Sequence, residues 1–566
     1  GKEPKDLDLA ESAMLVGLLP APSAYSPISG NATYAKQRQE TVLSRMVTNE
    51  FITKEQKESA LNEELHYASS ADTINSVAPH FAEMVIKQLS DKYGYEKVMR
   101  SGYQVKTTLD LTTQQTLVDS INGQMSYINQ MGGSNASGII MDPTTGQVRA
   151  LVGSADYNNK DWGKVNMATT ARQPGSSFKP IYYSYALADG AITASTMYND
   201  KLTDFGGGYT PYNADRRWHG MVSTRKALNW SLNIPSVLVM QKYGISKSVQ
   251  AAKNLGITTI DESKNYGLSL ALGSAEVPLV QMTNAYAAFA NGGQQYDPIY
   301  VTEVKDKFDN KIDWQTEASK QAISRGGAYL ISSILSDNAA RAGIFGSSLT
   351  VSGHTVAVKT GTTNDNRDAW TIGYNPEYVV GVWVGNNDNA SMKSGGSDMA
   401  GPIWRNTMTK LLAGRTNVNF SIPDGIVQRD VCSSNGGLAT NANAGVYKEY
   451  FLAGALPTIQ CNTVRTKITV CNLSGKKMES IYEDDFDATK YSKNEADCKT
   501  KQISVCDIAT QQVVTIDEDA YDSAKYSKDT ANCVAKDDDD ADDNSSSTDT
   551  NASSTNGGAN TRTITP

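Results

Sequence analysis

Three short motifs follow one another in the middle of the 566-residue chain, and together they constrain its fold more than any other feature. Ser-Ser-Phe-Lys occupies residues 176–179, Ser-Leu-Asn occupies 231–233 and Lys-Thr-Gly occupies 359–361. Each motif alone is common in a chain rich in serine and lysine. Their order, their separations of 55 and 128 residues, and the Gln-Pro-Gly before Ser176 are much harder to obtain by chance. A fold that uses all three must bring distant segments together.

The first motif predicts an activated serine. Ser176 and Lys179 are three positions apart, so on a helix their side chains share one face. The preceding Gln-Pro-Gly predicts a helix that begins near Ser176, where free backbone N–H groups favour developing negative charge. A serine hydroxyl becomes a strong nucleophile when a base takes its proton. Lys179 can be that base if burial or a nearby cation disfavours its charged form.

The other two motifs supply partners for this pair. Residues 356–358 and 369–372 predict the strands of one hairpin, which puts Lys359 on an edge strand where it can be the nearby cation. Gly361 has no side chain to obstruct a substrate backbone. Ser231 can relay a proton to a leaving amine, and Asn233 can hold both Lys179 and a substrate amide.

Each motif also has a purely structural interpretation. Ser176 could cap a helix beside a solvated Lys179, and for this motif alone that interpretation is favoured. Ser231 and Asn233 could cap the following segment, and Lys-Thr-Gly could form a turn. That all three are structural, in this order and context, is the weaker hypothesis.

The segment 136–412 resembles the transpeptidase domain of class A penicillin-binding proteins. Besides the three motifs it contains Pro-Tyr-Asn at 211–213, Leu-Gly-Ser at 272–274 and Arg-Asp-Ala-Trp at 367–370. The resemblance implies an α+β fold, the penicillin-recognising serine transferase fold. In this fold helices flank an antiparallel sheet and the site lies at the sheet edge.

The resemblance also implies roles for eight residues. They are Ser176 as acyl acceptor, Lys179 as base, Ser231 and Asn233 in the second motif, and Lys359, Thr360, Gly361 and Thr362 as binders of the substrate. Backbone N–H groups of Ser176 and Thr362 would form the oxyanion hole. No cofactor and no metal ion are implied.

The function implied is a D,D-transpeptidase, which forms an acyl-enzyme with D-Ala–D-Ala stem peptides of peptidoglycan and binds β-lactams covalently. A β-lactamase is disfavoured because Leu232 stands where class A β-lactamases have aspartate. A D,D-carboxypeptidase and a non-catalytic β-lactam-binding wall scaffold remain alternatives.

Residues 1 to about 65 resemble the end of a peptidoglycan glycosyltransferase domain, with the matching motifs at 6–22 and 38–46. The catalytic glutamates of that family lie upstream of such a segment, so we expect no glycan polymerisation by this chain. The resemblance implies a longer bifunctional parent that uses a lipid-linked precursor. It also implies an upstream membrane helix that anchors the protein at the extracytoplasmic face of the bacterial membrane.

Composition excludes some other classes of function. The net charge of −9 disfavours a nucleic-acid partner. The sequence has no apolar run of about 18 residues of the kind that spans a membrane. Its four histidines show no metal-ligand spacing.

All six cysteines lie after residue 430, and four of them belong to an internal repeat with a period of 35 residues. Six cysteines permit fifteen pairings. The repeat selects Cys471–Cys498 and Cys506–Cys533, which leaves Cys432–Cys461. Disulfides stabilise units too small for a core of their own and indicate an oxidising compartment.

These observations predict six regions. They are a glycosyltransferase-like tail at 1–75, a linker at 76–135, the transpeptidase domain at 136–415, a connector at 416–465, two disulfide repeats at 466–535, and a disordered acidic tail at 536–566.

Overall fold

The structure is a computed structural model that describes residues 2, 4–28, 30–67, 76–314, 319–440 and 443–533. The chain divides into two units, residues 1–463 and 464–566. The tail predicted at 536–566 lies outside the described residues, and the finer domain boundaries stay predictions. No described helix has the length and apolar character needed to cross a bilayer.

The N-terminal segment is helical. Its helices are α1 (Leu9–Leu18), α2 (Pro22–Tyr25), α3 (Ala32–Thr48) and α4 (Lys54–Asn62). A capping box starts α1, because Asp8 Oδ1 accepts from Glu11 N at 2.7 Å and Glu11 Oε2 accepts from Asp8 N at 3.2 Å. Fully buried Gln39 on α3 donates to Ala10 O at 2.8 Å and so joins α3 to α1.

Residues 76–135, predicted to be a linker, contain four elements before strand β2 (Asn135–Met141) begins. These are α5 (Pro79–Tyr93), α6 (Tyr95–Arg100), β1 (Gln104–Thr107) and α7 (Leu111–Gln130). Asp110 caps α7 by accepting from Thr113 N at 2.7 Å. The apolar face of α7 buries Leu117, Ile121 and Ile128 against the central sheet. This region is therefore packed into the main unit.

The central region carries most of the remaining elements. In chain order they are β2 (Asn135–Met141), β3 (Val148–Val152), β4 (Ala171–Arg172), α8 (Lys179–Ala188), β5 (Met197–Asp200), β6 (Gly220–Ser223), α9 (Thr224–Asn229), α10 (Asn233–Tyr243), α11 (Ile245–Asn254), β7 (Val277–Pro278), α12 (Leu279–Ala290), β8 (Gln294–Gln295), β9 (Val301–Lys305), β10 (Lys311–Ile312), β11 (Lys320–Gln321), α13 (Arg325–Leu335), α14 (Asn338–Phe345), β12 (Ala357–Thr362), β13 (Asp368–Tyr374), β14 (Val379–Gly385) and α15 (Gly396–Leu412).

Five of these strands form an antiparallel sheet in the order β12-β13-β14-β2-β3, with β12 at one edge. Helices α7 and α15 cover one face, and α12 and α13 cover the other. Strand β14 is apolar along its length because its neighbouring side chains enter different cores, Val382 into one and Trp383 into the other. This arrangement confirms the predicted helix-flanked antiparallel fold.

A hairpin of β15 (Ile426–Cys432) and β16 (Val446–Leu452) follows α15 and packs against the central region. Fully buried Glu449 on β16 accepts from Arg225 Nε at 2.7 Å and from Arg225 Nη2 at 2.5 Å. Arg225 lies on α9 and also donates to Ser333 O on α13 at 2.8 Å. This buried ion pair ties the hairpin to the helix that precedes the second motif.

The second unit contains the two repeats, each a three-stranded sheet. Their strands are β17 (Lys467–Asn472), β18 (Lys477–Tyr482), β19 (Tyr491–Ser492), β20 (Gln502–Asp507), β21 (Gln512–Asp517) and β22 (Tyr526–Ser527). Their orders, β18-β17-β19 and β21-β20-β22, are equivalent. The structure contains the two disulfides that the repeat selected, Cys471–Cys498 and Cys506–Cys533.

The third pair differs from the sequence prediction, because Cys432 and Cys461 are free thiols. Cys432 Sγ donates to Asn435 Oδ1 at 2.7 Å, and Cys461 Sγ lies 3.2 Å from Thr463 Oγ1. Burial raises the pKa of Cys432, but hydrogen bonds, first of all with Cys461, outweigh burial and lower it to about 6. The two thiols are thus neighbours with polar partners. Elimination among six cysteines could not reveal this.

Candidate active site

The first motif forms a tight turn that leads into α8. A 3₁₀ turn spans Gly175–Phe178, and the α-helix begins at Lys179, three residues later than predicted. Pro180 fits the first helical turn, where no backbone N–H is needed. Ser176 is half-buried on the turn, whereas Lys179 is fully buried.

The Lys179 amine is held by the second motif. Its Nζ donates to Ser231 O at 2.8 Å, to Asn233 Oδ1 at 2.8 Å and to Leu232 O at 3.2 Å. Among the described residues none of its hydrogen bonds reaches Ser176 Oγ. A neutral amine has two N–H donors and one lone pair. Neutral Lys179 can therefore donate to only two of these three oxygens, and its lone pair can then accept a proton.

The third motif also contacts Ser231 of the second motif. Lys359 Nζ donates to Ser231 Oγ at 2.8 Å and to Thr360 O at 2.8 Å. The three motifs, which are 55 and 128 residues apart in the chain, therefore meet at Ser231.

Both lysines have lowered pKa values. Burial, followed by the positive charge of Lys359, holds the pKa of Lys179 well below its ordinary value, and the charge of Asp200 partly opposes this. Burial, followed by the positive charge of Arg341, lowers the pKa of Lys359 to about 7. The neutral form of Lys179 is consequently favoured relative to that of a lysine in water.

Ser231 has a left-handed backbone conformation, with φ of 59°. This conformation is disfavoured for a residue with a side chain, and such residues occur at sites where the surrounding structure holds them. Before the serine, Trp230 Nε1 donates to Ala340 O on α14 at 2.7 Å. After it, Asn233 N donates to Asn213 Oδ1 at 2.7 Å. The loop is thus held on both sides.

Strand β12 lies directly against the serine turn. A Cβ on Gly361 would collide with Pro174 O and come within 3.0 Å of Ser177 N. The missing side chain of Gly361 thus lets the protein's own turn approach the strand, in addition to the substrate approach that the sequence suggested.

The backbone of Thr362 lies beside the residue that precedes Ser176. Its nitrogen is 2.9 Å from the point where a Cβ on Gly175 would lie. The Thr362 side chain is exposed, and its Oγ1 accepts from Gly396 N at 2.9 Å. The structure therefore brings all eight residues into one place, while their catalytic roles stay predictions.

Two charged residues near the site have no signal in the sequence. Asp200 ends β5 and is fully buried, and Arg341 on α14 is 2% exposed. Asn213 is marked in the sequence only by the family resemblance, although it holds the second motif. None of these residues lies within a recognisable catalytic spacing, so only their positions in the folded chain identify them.

Comparisons with known proteins agree with this geometry. Family models match for the penicillin-binding protein transpeptidase domain at residues 136–409, the C-terminal domain of penicillin-binding protein 1A at 422–466, and transglycosylase at 1–47. Penicillin-binding protein 1A of Neisseria lactamica is 30% identical, over 75% of this chain and 67% of its own. The chain belongs to the class A penicillin-binding proteins of the 1A type.

Other penicillin-binding proteins are similar to the chain in sequence or in fold. Penicillin-binding protein 2D of Bacillus subtilis is 31% identical, over 81% of this chain and 67% of its own. The crystal structure of penicillin-binding protein 1A from Haemophilus influenzae has a TM-score of 0.64 at 23% identity, over 81% of this chain and 88% of that one. PonA1 from Mycobacterium tuberculosis has a TM-score of 0.54 at 25% identity, over 61% and 94%.

The activity and the fold of the chain follow from this family. It is a peptidoglycan D,D-transpeptidase of the serine type, with the penicillin-recognising fold. Within the described residues no group of three His, Cys, Asp or Glu side chains is arranged to hold a metal ion.

Proposed function

We propose that Ser176 is the acyl acceptor of this transpeptidase. Its Oγ attacks the carbonyl carbon between the two D-Ala residues of a stem peptide, the C–N bond breaks, and the terminal D-Ala leaves. An amine of a neighbouring stem then attacks the ester, forms the cross-link and restores the Ser176 hydroxyl. The observation that carries this proposal is the buried amine of Lys179, with its lowered pKa, one turn away from Ser176.

Two lysines and one serine would manage the protons. Neutral Lys179 takes the Ser176 proton, once its lone pair is free of the second-motif oxygens. Lys359 donates to Ser231 Oγ, so Ser231 can give its hydroxyl proton to the leaving amine and take a proton from the Lys359 ammonium in return. In deacylation Lys179 returns its proton to Ser176 Oγ, and the proton of the acceptor amine goes back through Ser231 to Lys359. The geometry supports proton transfer between Lys359 and Ser231, because Lys359 Nζ lies 2.8 Å from the Ser231 hydroxyl, whereas Lys179 Nζ contacts the backbone oxygen of Ser231.

The edge of β12 would bind the substrate. Lys359, Thr360 and Thr362 present a cation and two hydroxyl groups to the terminal carboxylate of the donor peptide, and Gly361 leaves room for its backbone. Backbone N–H groups of Ser176 and Thr362 would stabilise the oxyanion of the tetrahedral intermediate. The close packing of Gly361 and Gly175 on neighbouring backbones supports this placement.

The finer partners and location belong to the same proposal. We infer that the chain works at the extracytoplasmic face of the bacterial membrane, on stem peptides of strands made from a lipid-linked precursor. The two disulfides support an oxidising location. PonA1, which shares this fold, has been solved in complex with penicillin V. We infer that this chain binds β-lactams covalently at Ser176.

A fluorescent penicillin tests the acyl acceptor. We expect persistent labelling of the wild type, none of Ser176→Ala, and normal labelling of the control Ser347→Ala, an exposed serine beyond α14. Rapid loss of the label from the wild type would indicate a β-lactamase, and labelling of Ser176→Ala would refute the assignment. D-Ala release without an added acceptor amine would indicate a carboxypeptidase.

A further inference from the structure

A chain of buried hydrogen bonds supports the second motif from behind. Asn233 N donates to Asn213 Oδ1 at 2.7 Å, and Asn213 Nδ2 donates to Asp200 Oδ2 at 2.7 Å. The same carboxylate oxygen accepts from His219 N at 2.9 Å. Asp200 therefore orients the side chain on which the loop before α10 rests.

Asn233 is the direct link from this chain to the base. Its Oδ1 accepts from Lys179 Nζ at 2.8 Å, and its Nδ2 donates to Tyr212 O at 2.7 Å. The amide is thereby fixed at its oxygen, its nitrogen and its backbone. A displacement of Asn213 would be transmitted to the amine of Lys179 through only one residue.

The other oxygen of Asp200 is unusual. The side chain of Asp200 is fully buried, and its Oδ1 has no hydrogen-bond partner among the described residues. A buried carboxylate with an unpaired oxygen is destabilising unless an opposite charge lies near. The amine of Lys179 is the group on which the charge of Asp200 acts.

Among the described residues, the charged groups that shift the pKa of Lys179 are the cation Lys359 and the anion Asp200. Lys359 approaches from β12, and Arg341 of α14 acts on Lys359 from behind. Burial raises the pKa of Tyr182 and Tyr183, which neighbour Lys179 on α8, so both phenols stay uncharged. Asp200 is the anion that opposes these cations at Lys179.

We propose that Asp200 is a positioning residue of the acylation site. It holds the loop 231–233 through Asn213, and it supplies the negative charge that partly balances the buried cations. This inference rests on the proposed role of Lys179 as the base. Asp200 lies outside the three motifs, and it would help to determine the pH at which Lys179 becomes neutral.

The test is the pH dependence of acylation by a fluorescent penicillin, measured on the full chain. Asp200→Asn removes the charge, which lowers the pKa of Lys179 further, so the acidic limb of the profile should shift to lower pH. Asp204→Asn removes the same charge from an exposed position four residues later and should leave the profile unchanged. An unshifted limb in Asp200→Asn, or an equal shift in Asp204→Asn, would overturn the electrostatic role.

Asn213→Ala tests positioning separately and keeps the proposal testable if Asp200→Asn does not fold. It leaves the charge of Asp200 in place but removes the link to Asn233. Acylation should slow about 10- to 100-fold at every pH, because small misplacements of reacting groups have effects of this size. An unchanged rate would refute the positioning role. If the wild type is not labelled at all, the proposed function fails instead.

Discussion

Lys179 depends on its surroundings more than any other side chain in the site. In water its amine would be protonated at neutral pH, but full burial and the charge of Lys359 both favour the neutral form. Lys359 thus has two tasks: it helps to keep Lys179 neutral, and it contacts Ser231 directly. A single substitution tests both tasks, because one affects the pH profile of acylation and the other its rate at the optimum.

Lys359→Ala should slow acylation and also move its pH profile. Loss of the cation raises the pKa of Lys179, so the amine becomes neutral only at higher pH and the acidic limb shifts upward. Loss of the contact with Ser231 and of the carboxylate cation should slow acylation at the optimum by roughly 100-fold. The rate of penicillin labelling between pH 5 and pH 9 measures both effects.

Lys242→Ala is a suitable control, because Lys242 is an exposed lysine on α10 and its loss should change neither the rate nor the limb. If Lys359→Ala retained the wild-type pH profile, the two lysines would not be coupled.

The contact between β12 and the serine turn is what joins the first motif to the third. It is made by backbone atoms, because Gly361 and Gly175 place no side chain between the two elements. The strand brings Lys359 with it, so the position of this cation depends on how closely the two backbones approach. The loop at Ser231, which Asn213 and Trp230 hold, then lies between the lysines.

Gly361→Ala should weaken this contact. The added methyl group would collide with Pro174 O, and β12 would have to move away from the turn. We expect acylation at least about tenfold slower, since the reacting groups would be misplaced, and a loss of stability of about 1–3 kcal/mol from overpacking. Labelling kinetics and thermal unfolding measure the two effects.

Gly267→Ala provides the comparison, because a Cβ there meets no atom within 4 Å. Equal effects of the two substitutions would show that the close approach of β12 to the serine turn is not what positions the reacting groups.

The two units of the chain differ in how they are stabilised. The unit of residues 1–463 has large apolar cores on both faces of its sheet, whereas each repeat in the second unit has a small sheet closed by a disulfide. Cysteine chemistry is thus concentrated outside the acylation site, whose eight residues include no cysteine. Activity and redox state should consequently be independent.

Alkylation of the denatured, unreduced protein should modify two of the six cysteines, Cys432 and Cys461, and prior reduction should expose all six. Mass spectrometry counts the adducts. No adduct without reduction would mean that Cys432 and Cys461 are oxidised to a third disulfide in solution. Reduction should leave penicillin labelling of Ser176 unchanged, and a loss of labelling would contradict the independence of acylation from the disulfides.

Local patterns along the chain were enough to predict the serine and the two lysines that the fold brings together, the hairpin of β12 and β13, and two of the disulfides. Motifs and repeats are defined by residue type and by spacing along the chain, so they can be recognised without knowledge of the fold. Asp200 and the free thiols at Cys432 and Cys461 could not be found in this way. Their states depend on which distant groups the fold places beside them. Burial and charge act through space, so the left-handed turn at Ser231 and the low pKa of Lys179 arise only when residues far apart in the chain are packed together.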